Sequence, residues 1–422
     1  MEILISLSLS LLAGLLMSRL AKKFQLPAVT AYLVAGIILG PFCLGRLGVS
    51  GLGFTSLEEV ESFGIISQTA LGFIAFAIGN EFRVSQLKKT GKQAAVVGVI
   101  QAVIATIFVA GSLAVMHFIM PDKLSLPVAL TLGAIASATA PAATLMVIRQ
   151  YKAKGPVTDI LLPIVALDDA VGLIIFAVCF GIAKAITFGA IDMVSIIVEP
   201  ILEIVCSLIL GFVMGVLFTF TEKFFQSRSK RLSISITYVL LAVGVSMMKF
   251  EVFGVHIGFS ALLVCMMLGT VFCNMCDVSE ELMDRTDRWT APIFILFFVL
   301  SGAELNLGVF ADVAIIGIGV VYIIARSLGK YVGARESARA VKCDKNIVDY
   351  LGITLLPQGG VALGMSVTAL QLGADGTLIR NIVLFSVLVY ELVGPMLTKI
   401  ALMKAGEITP GATNARGKKV LH

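Results

Sequence analysis

Apolar residues in this chain run in long, nearly continuous stretches, and polar residues gather in the short connections between them. Neither the alternation of a half-buried strand nor the one-sided stripe of a surface helix describes them; runs of this kind read as helices that cross a membrane. With about 20 apolar residues per crossing, the runs fall at roughly 3–20, 27–44, 63–82, 93–118, 126–148, 157–185, 194–222, 232–249, 253–274, 290–308, 312–334, 347–372 and 380–403. The connections alternate in charge. Arg19, Lys22 and Lys23 are followed by Glu58, Glu59 and Glu61, then by Arg83, Lys88, Lys89 and Lys92, and basic connections keep following odd-numbered spans. The acidic stretch 275–288 is the exception. Lys and Arg collect on the cytoplasmic side, so the pattern predicts an N-terminus outside and a C-terminus inside.

An odd number of spans suits two six-helix repeats of opposite topology joined by one linking helix, here 194–222. Weak internal similarity supports the division. The third span ends FIAFAIGNEF and the tenth ILFFVLSGAEL, which sets Gly79 and Glu81 against Gly302 and Glu304 at an offset of 223 residues. Pro141 in the fifth span and Pro357 in the twelfth are offset by 216, and adding 223 to Asp168 lands on Glu391. The fold class expected is therefore an all-α polytopic membrane protein of 13 transmembrane helices, with two inverted repeats and broken helices crossing in its core. Residues 1–404 form the transmembrane domain and 405–422 a short cytoplasmic tail.

The candidate chemistry lies in the sixth span, PIVALDDAVG, where Asp168 and Asp169 are adjacent. A carboxylate near the bilayer centre costs at least ~2.5 kcal/mol on insertion scales, so such a pair marks a functional site. Neighbouring residues on a helix point ~100° apart, so the two acids have separate partners. Arg326, inside VVYIIARSLGKYVG of the eleventh span, is an available counter-ion for one of them. The other carboxylate then takes either a proton or a cation, and that competition is what antiport requires. Pro141 and Pro357 each remove a backbone donor inside a span, and the carbonyls they free must find protein, water or ligand. Ser137 and Thr139 beside the first proline, and Gln358, Gly359 and Gly360 beside the second, favour broken helices facing a polar cavity over simple kinks. That free carboxylate, Thr139 and the carbonyls of the breaks can supply the oxygen ligands of a hard cation such as Na+. Lys330 lies one turn from Arg326 toward a basic connection, where snorkelling accounts for it. Glu304 is expected either to accept a hydrogen bond from Arg326 or Lys330 or to sit in a solvated mouth. Glu391 belongs to a second part of the charge network.

Composition removes most other classes. Of 422 residues 58% are hydrophobic and 14% charged, with a mean hydropathy of +1.00, which excludes a soluble enzyme. The net charge of +5 follows from the basic connections and implies no nucleic acid. Cys273 and Cys276 form a CNMC without a second pair or a nearby His, so no zinc site is expected. No HExxH or GxGD motif is present, so neither intramembrane protease chemistry is indicated, and no cofactor is implied. The first run lacks a basic leader and a cleavage site and reads as a retained helix. Interhelical salt bridges alone are the bland alternative for the acids, but two adjacent acids exceed what one bridge needs.

TAYLVAGIILGP in the second span, SATAP in the fifth, LDDAVG in the sixth, GAEL in the tenth, ARSLGK in the eleventh and LLPQGG in the twelfth together resemble the monovalent cation:proton antiporter superfamily over residues ~3–403. The Asp-Asp pair resembles the bacterial sodium/proton branch that includes Kef-type relatives and the animal sodium/proton antiporters. The resemblance implies a homodimer in the cell (inner or plasma) membrane, acting in pH homeostasis by elevator-like alternating access. It implies a dimerisation part at ~1–90 and ~232–310 and a moving core part at ~91–185 and ~311–404. It also implies that Asp169 binds ion and proton, that Asp168 pairs with Arg326, and that Thr139 is a ligand. An Arg cannot release its proton, so the expectation fixes no coupling ratio. Exchange of H+ for Na+, with Li+ and K+ as the other cations, is the function expected. The alternatives are a K+/H+ antiporter or Kef-type K+ efflux system, for which the eighteen residues after Lys404 leave no nucleotide-binding domain, and a non-transporting membrane sensor.

Overall fold

In hydrocarbon a segment must satisfy its own backbone, and long apolar runs therefore become helices. The computed structural model describes residues 2–24, 26–48, 53–80, 82–121, 123–188, 199–248, 250–252, 255–305 and 313–408; Glu81 and most of the expected tail lie outside them. In chain order the elements are α1 (Glu2–Lys23), α2 (Ala28–Leu39), α3 (Leu57–Ser62), α4 (Gly64–Asn80), α5 (Val84–Ile119), α6 (Leu126–Ile135), α7 (Pro141–Tyr151), α8 (Pro156–Phe188), α9 (Glu199–Lys223) and α10 (Arg228–Ser246). A short antiparallel hairpin of β1 (Phe250–Val252) and β2 (Val255–Ile257) follows. Then come α11 (Ala261–Met275), α12 (Ser279–Glu304), α13 (Val313–Ala340), α14 (Lys345–Thr354), α15 (Gly360–Thr368) and α16 (Ala374–Lys404).

Among the described residues, seven helices are long and apolar enough to cross a membrane, and four shorter apolar ones accompany them. Two of the short ones arise because a span is interrupted: 126–148 divides into α6 and α7, and 347–372 into α14 and α15. The surface has the character of a lipid-facing one. On α8, Ile174, Val178, Ile182 and Ile186 recur every four residues and are exposed, while Asp168, Asp169, Gly172, Phe176 and Phe180 are buried.

The chain divides into two compact units. The first comprises Met1–Arg19, Tyr32–Lys89 and Met193–Glu304, and includes α9, the expected linking helix. Its helices approach backbone to backbone: a Cβ on Gly79 would lie 1.9 Å from the Met266 carbonyl oxygen, and one on Gly269 2.2 Å from that of Phe76, so only glycine lets α4 and α11 pack this closely. Phe76, Phe218 and Phe272 stack across the same region. The second unit comprises Leu20–Ala31, Thr90–Asp192 and Leu305–His422 and holds both interrupted spans together with α8, α13 and α16.

Candidate functional site

The two interruptions build the site. Pro141 has no N–H and its ring would collide with the carbonyl of Ser137 in a continuous helix, so α6 stops at Ile135 and Pro141 becomes the first-turn residue of α7. Pro357 and the Gly359-Gly360 pair end α14 at Thr354 and start α15 at Gly360 in the same way. The extended segments meet directly, the Ala140 N–H donating to the Pro357 carbonyl at 2.8 Å.

Breaking a helix exposes carbonyls that the chain must satisfy. Four consecutive ones in the first break are taken by side chains: Ile135 by Gln358 Nε2 (3.1 Å), Ala136 by Arg326 Nε (3.0 Å), Ser137 by Lys330 Nζ (2.5 Å) and Ala138 by Arg326 Nη2 (2.6 Å). In the second break Leu356 accepts from Arg326 Nη1 at 2.6 Å. The remaining face of the guanidinium lies over the Tyr390 ring, 4.6 Å from its centroid. Arg326 therefore bridges both breaks and sits where two half-helices present their negative ends. Gln358 also donates to Tyr322 Oη at 2.8 Å and accepts from Ser386 Oγ at 3.3 Å.

The ion pair expected between Asp168 and Arg326 is made instead by Lys330, whose Nζ lies 3.0 Å from Asp168 Oδ2, both side chains fully buried. The reason is donor geometry. A planar guanidinium with five spread donors suits several carbonyls, whereas an ammonium with three suits one compact cluster. Lys330 Nζ meets the Ser137 carbonyl, Thr139 Oγ1 (2.8 Å) and Asp168 Oδ2, so it points into the site and does not snorkel. Thr139 passes the interaction on, accepting from Lys330 and donating to Asp168 Oδ2 at 2.6 Å. Asp168 Oδ1 accepts from Gln101 Nε2 of α5 at 2.5 Å. Asp168 is thus held by three donors from three elements.

Asp169 differs in kind. It is 2% exposed, and neither carboxylate oxygen has a hydrogen-bond partner among the described residues. One turn on, a Cβ at Gly172 would lie 3.2 Å from Ser137 Oγ, so this part of α8 runs against the first break. Ser137 contributes its carbonyl, while its hydroxyl donates to Ala134 in its own turn. Glu304 closes α12 in the first unit. Arg326 and Lys330 direct their hydrogen bonds to carbonyls, Thr139 and Asp168 within the second unit. Glu391 on α16 reaches the second break, where a Cβ at Gly359 would lie 2.9 Å from its Oε1. Among the described residues no cluster of His, Cys, Asp and Glu could hold a resident metal.

Residues 7–404 match the family model described as sodium/hydrogen exchanger, transmembrane. The chain belongs to the sodium/hydrogen exchanger family. Its relatives in that family include the Na(+)/H(+) antiporter NhaS4 of Synechocystis sp., 24% identical over 413 residues that cover 94% of this chain and 96% of the relative. The K(+)/H(+) antiporter subunit KhtU of Bacillus subtilis is 24% identical over 391 residues, covering 90% and 89%. The exchanger fold is shared with the solved sodium proton antiporter MjNhaP1 of Methanocaldococcus jannaschii, at a TM-score of 0.67 and 20% identity, over 95% of this chain and 100% of that one.

Gln101 against Asp168, Tyr390 against Arg326, and Tyr322 and Ser386 against Gln358 are site residues that no sequence motif singles out. A lone amide within the apolar run GVIQAVIAT is the kind of signal that polar residues in membrane helices give.

Proposed function

We propose that this membrane protein is a secondary antiporter that exchanges protons for a monovalent cation, Na+ first, at Asp169. The observation that carries the reading is the contrast between the adjacent acids: among the described residues Asp168 has three donors and Asp169 has none. A buried, unpaired carboxylate is too costly to leave charged, so Asp169 rests either protonated or with a cation against it. The two occupants exclude each other, and exchange follows. Thr139 is the candidate second ligand, and its hydroxyl is engaged with Lys330 and Asp168. Recruiting it to a cation loosens the Lys330 pair. Unlike an arginine, a lysine can give up its proton, so the Asp168–Lys330 pair offers a second exchangeable proton and with it an electrogenic cycle.

In this reading the helices make 13 crossings, α6–α7 and α14–α15 each making one, arranged as two inverted six-helix repeats around α9. Equivalent prolines at the two breaks support that arrangement. The N-terminus lies outside and the C-terminus in the cytoplasm of a cell that carries the protein in its plasma membrane. Two copies associate through the dimerisation part at ~1–90 and ~232–310, while the core part at ~91–185 and ~311–404 carries the site across. The relative named for K+ favours a second reading, K+/H+ exchange at the same carboxylate.

Reconstitution into liposomes tests the function. Na+, Li+ or K+ gradients are imposed on purified protein and proton movement is followed with a pH dye, with and without an ionophore that clamps voltage. Na+-driven proton movement that changes with the clamp is the expected result. Response to K+ alone selects the second reading, and no response to any of the three refutes antiport.

A further inference from the structure

The helix that carries both acids has no cap of its own. The residue before Pro156 is Gly155, where Ser, Thr, Asp or Asn would ordinarily accept from the first free N–H groups. That role is taken by Glu407, from the far end of the chain. Val157 N–H donates to Glu407 Oε1 at 2.6 Å, and Thr158 N–H and Oγ1 donate to Oε2 at 2.8 and 2.6 Å. Glu407 is 6% exposed. Its backbone carbonyl accepts from Lys154 N–H at 3.1 Å, and its N–H donates to the Leu402 carbonyl at 2.9 Å. The chain turns at Gly406 (φ +77°) to deliver it. Beside it, Asn346 Nδ2 in the first turn of α14 donates to the Ala405 carbonyl at 3.2 Å. Gly155 is part of the fit, since a Cβ there would lie 2.6 Å from Glu407 Cδ. Residues 405–408 are therefore not a free tail: Ala405, Glu407 and Ile408 are buried in the second unit.

We propose that Glu407 is a positioning residue for exchange, a latch that ties the start of α8 and the start of α14 to the end of α16. Three of the segments that make the site are joined there: the helix of Asp168 and Asp169, the first half of the second broken helix, and the helix of Glu391. Asp168 lies about 16 Å along α8 from the latch. Between them Pro163 leaves the Asp159 carbonyl without its helical donor, so the first turns of α8 depend on external contacts for their register. Holding that end fixes the height of Asp169 against the two breaks, and cation affinity follows from that height. The inference rests on Asp169 being the exchange site.

The test uses the full chain with Glu407→Ala and Glu407→Gln. Amide exchange of peptides spanning 153–162 reads the contact, and cation-driven proton movement in proteoliposomes reads the half-saturating cation concentration. Glu407→Ala should speed exchange and raise half-saturation, each about tenfold or more. Glu407→Gln, which keeps one acceptor and the shape of the side chain, should move both less, and it carries the comparison if the alanine variant does not accumulate. Faster exchange with unchanged half-saturation reduces Glu407 to a cap and overturns the latch. If the unsubstituted chain moves no protons, the proposed function falls; the contact is then judged by exchange alone, and unchanged protection in Glu407→Ala overturns it.

Discussion

Replacing Lys330 with Met keeps the length of the side chain and removes its charge. Asp168 would retain Thr139 and Gln101 as donors, and the Ser137 carbonyl would lose its donor. Breaking a buried pair by removing one partner costs about 3–5 kcal/mol, chiefly because the other charge stays behind in the low-dielectric interior. Neutralising both ends removes that charge, so Asp168→Asn/Lys330→Met should be less destabilised than the sum of the single changes by about 2 kcal/mol or more. The assay is unfolding by SDS titration from a mild detergent, with all four members of the cycle measured under one condition. Running the same cycle with Arg326→Met separates the two basic residues. Arg326 sends its hydrogen bonds to the carbonyls of Ala136, Ala138 and Leu356, so its coupling to Asp168 should be less than half that of Lys330. Additivity within about 0.5 kcal/mol for Lys330, or stronger coupling to Arg326, would refute the pairing.

Other outcomes follow from the same contacts. Gln101→Leu removes a hydrogen bond to a charged group, worth about 1.5–3 kcal/mol, and should cut flux per inserted protein about tenfold or more; unchanged flux would show that Asp168 needs no third donor. Arg326→Lys keeps the charge but cannot reach three carbonyls on two breaks, so it should destabilise by about 2 kcal/mol or more in the same SDS titration. Gly269→Val places atoms against the Phe76 carbonyl and should cost at least about 1–3 kcal/mol of overpacking, read as a lower yield of folded protein; a normal yield would mean that α4 and α11 can separate at little cost.

The helices, the interruption of two spans and the burial of the acidic pair were legible in the sequence because each follows from a local rule: run length, a proline inside a span, a carboxylate in an apolar stretch. The partner of Asp168 was not. Arg326 and Lys330 lie one turn apart on the same face of α13, and nothing in their spacing says which base meets a carbonyl and which a carboxylate. That choice depends on donor geometry at a crossing of two broken helices, made by residues 190 positions away. Gln101 left a signal that was available and unused. Glu407 left almost none, since a glycine where a cap belongs is meaningful only once the chain end is seen to fill it. The division into repeats rested on offsets of 223 and 216 residues, and the paired breaks at Pro141 and Pro357 give the second offset a physical meaning.

The central claim is that Asp169 is the exchanging group while Asp168 holds the framework. Cation-driven proton movement in proteoliposomes, compared between the unsubstituted chain and Asp169→Asn at equal protein content, tests it most directly. Asparagine keeps the shape and cannot take part in proton–cation competition, so exchange should fall to the background of empty liposomes while the variant inserts and elutes as the unsubstituted protein does. Exchange retained in Asp169→Asn would contradict the account.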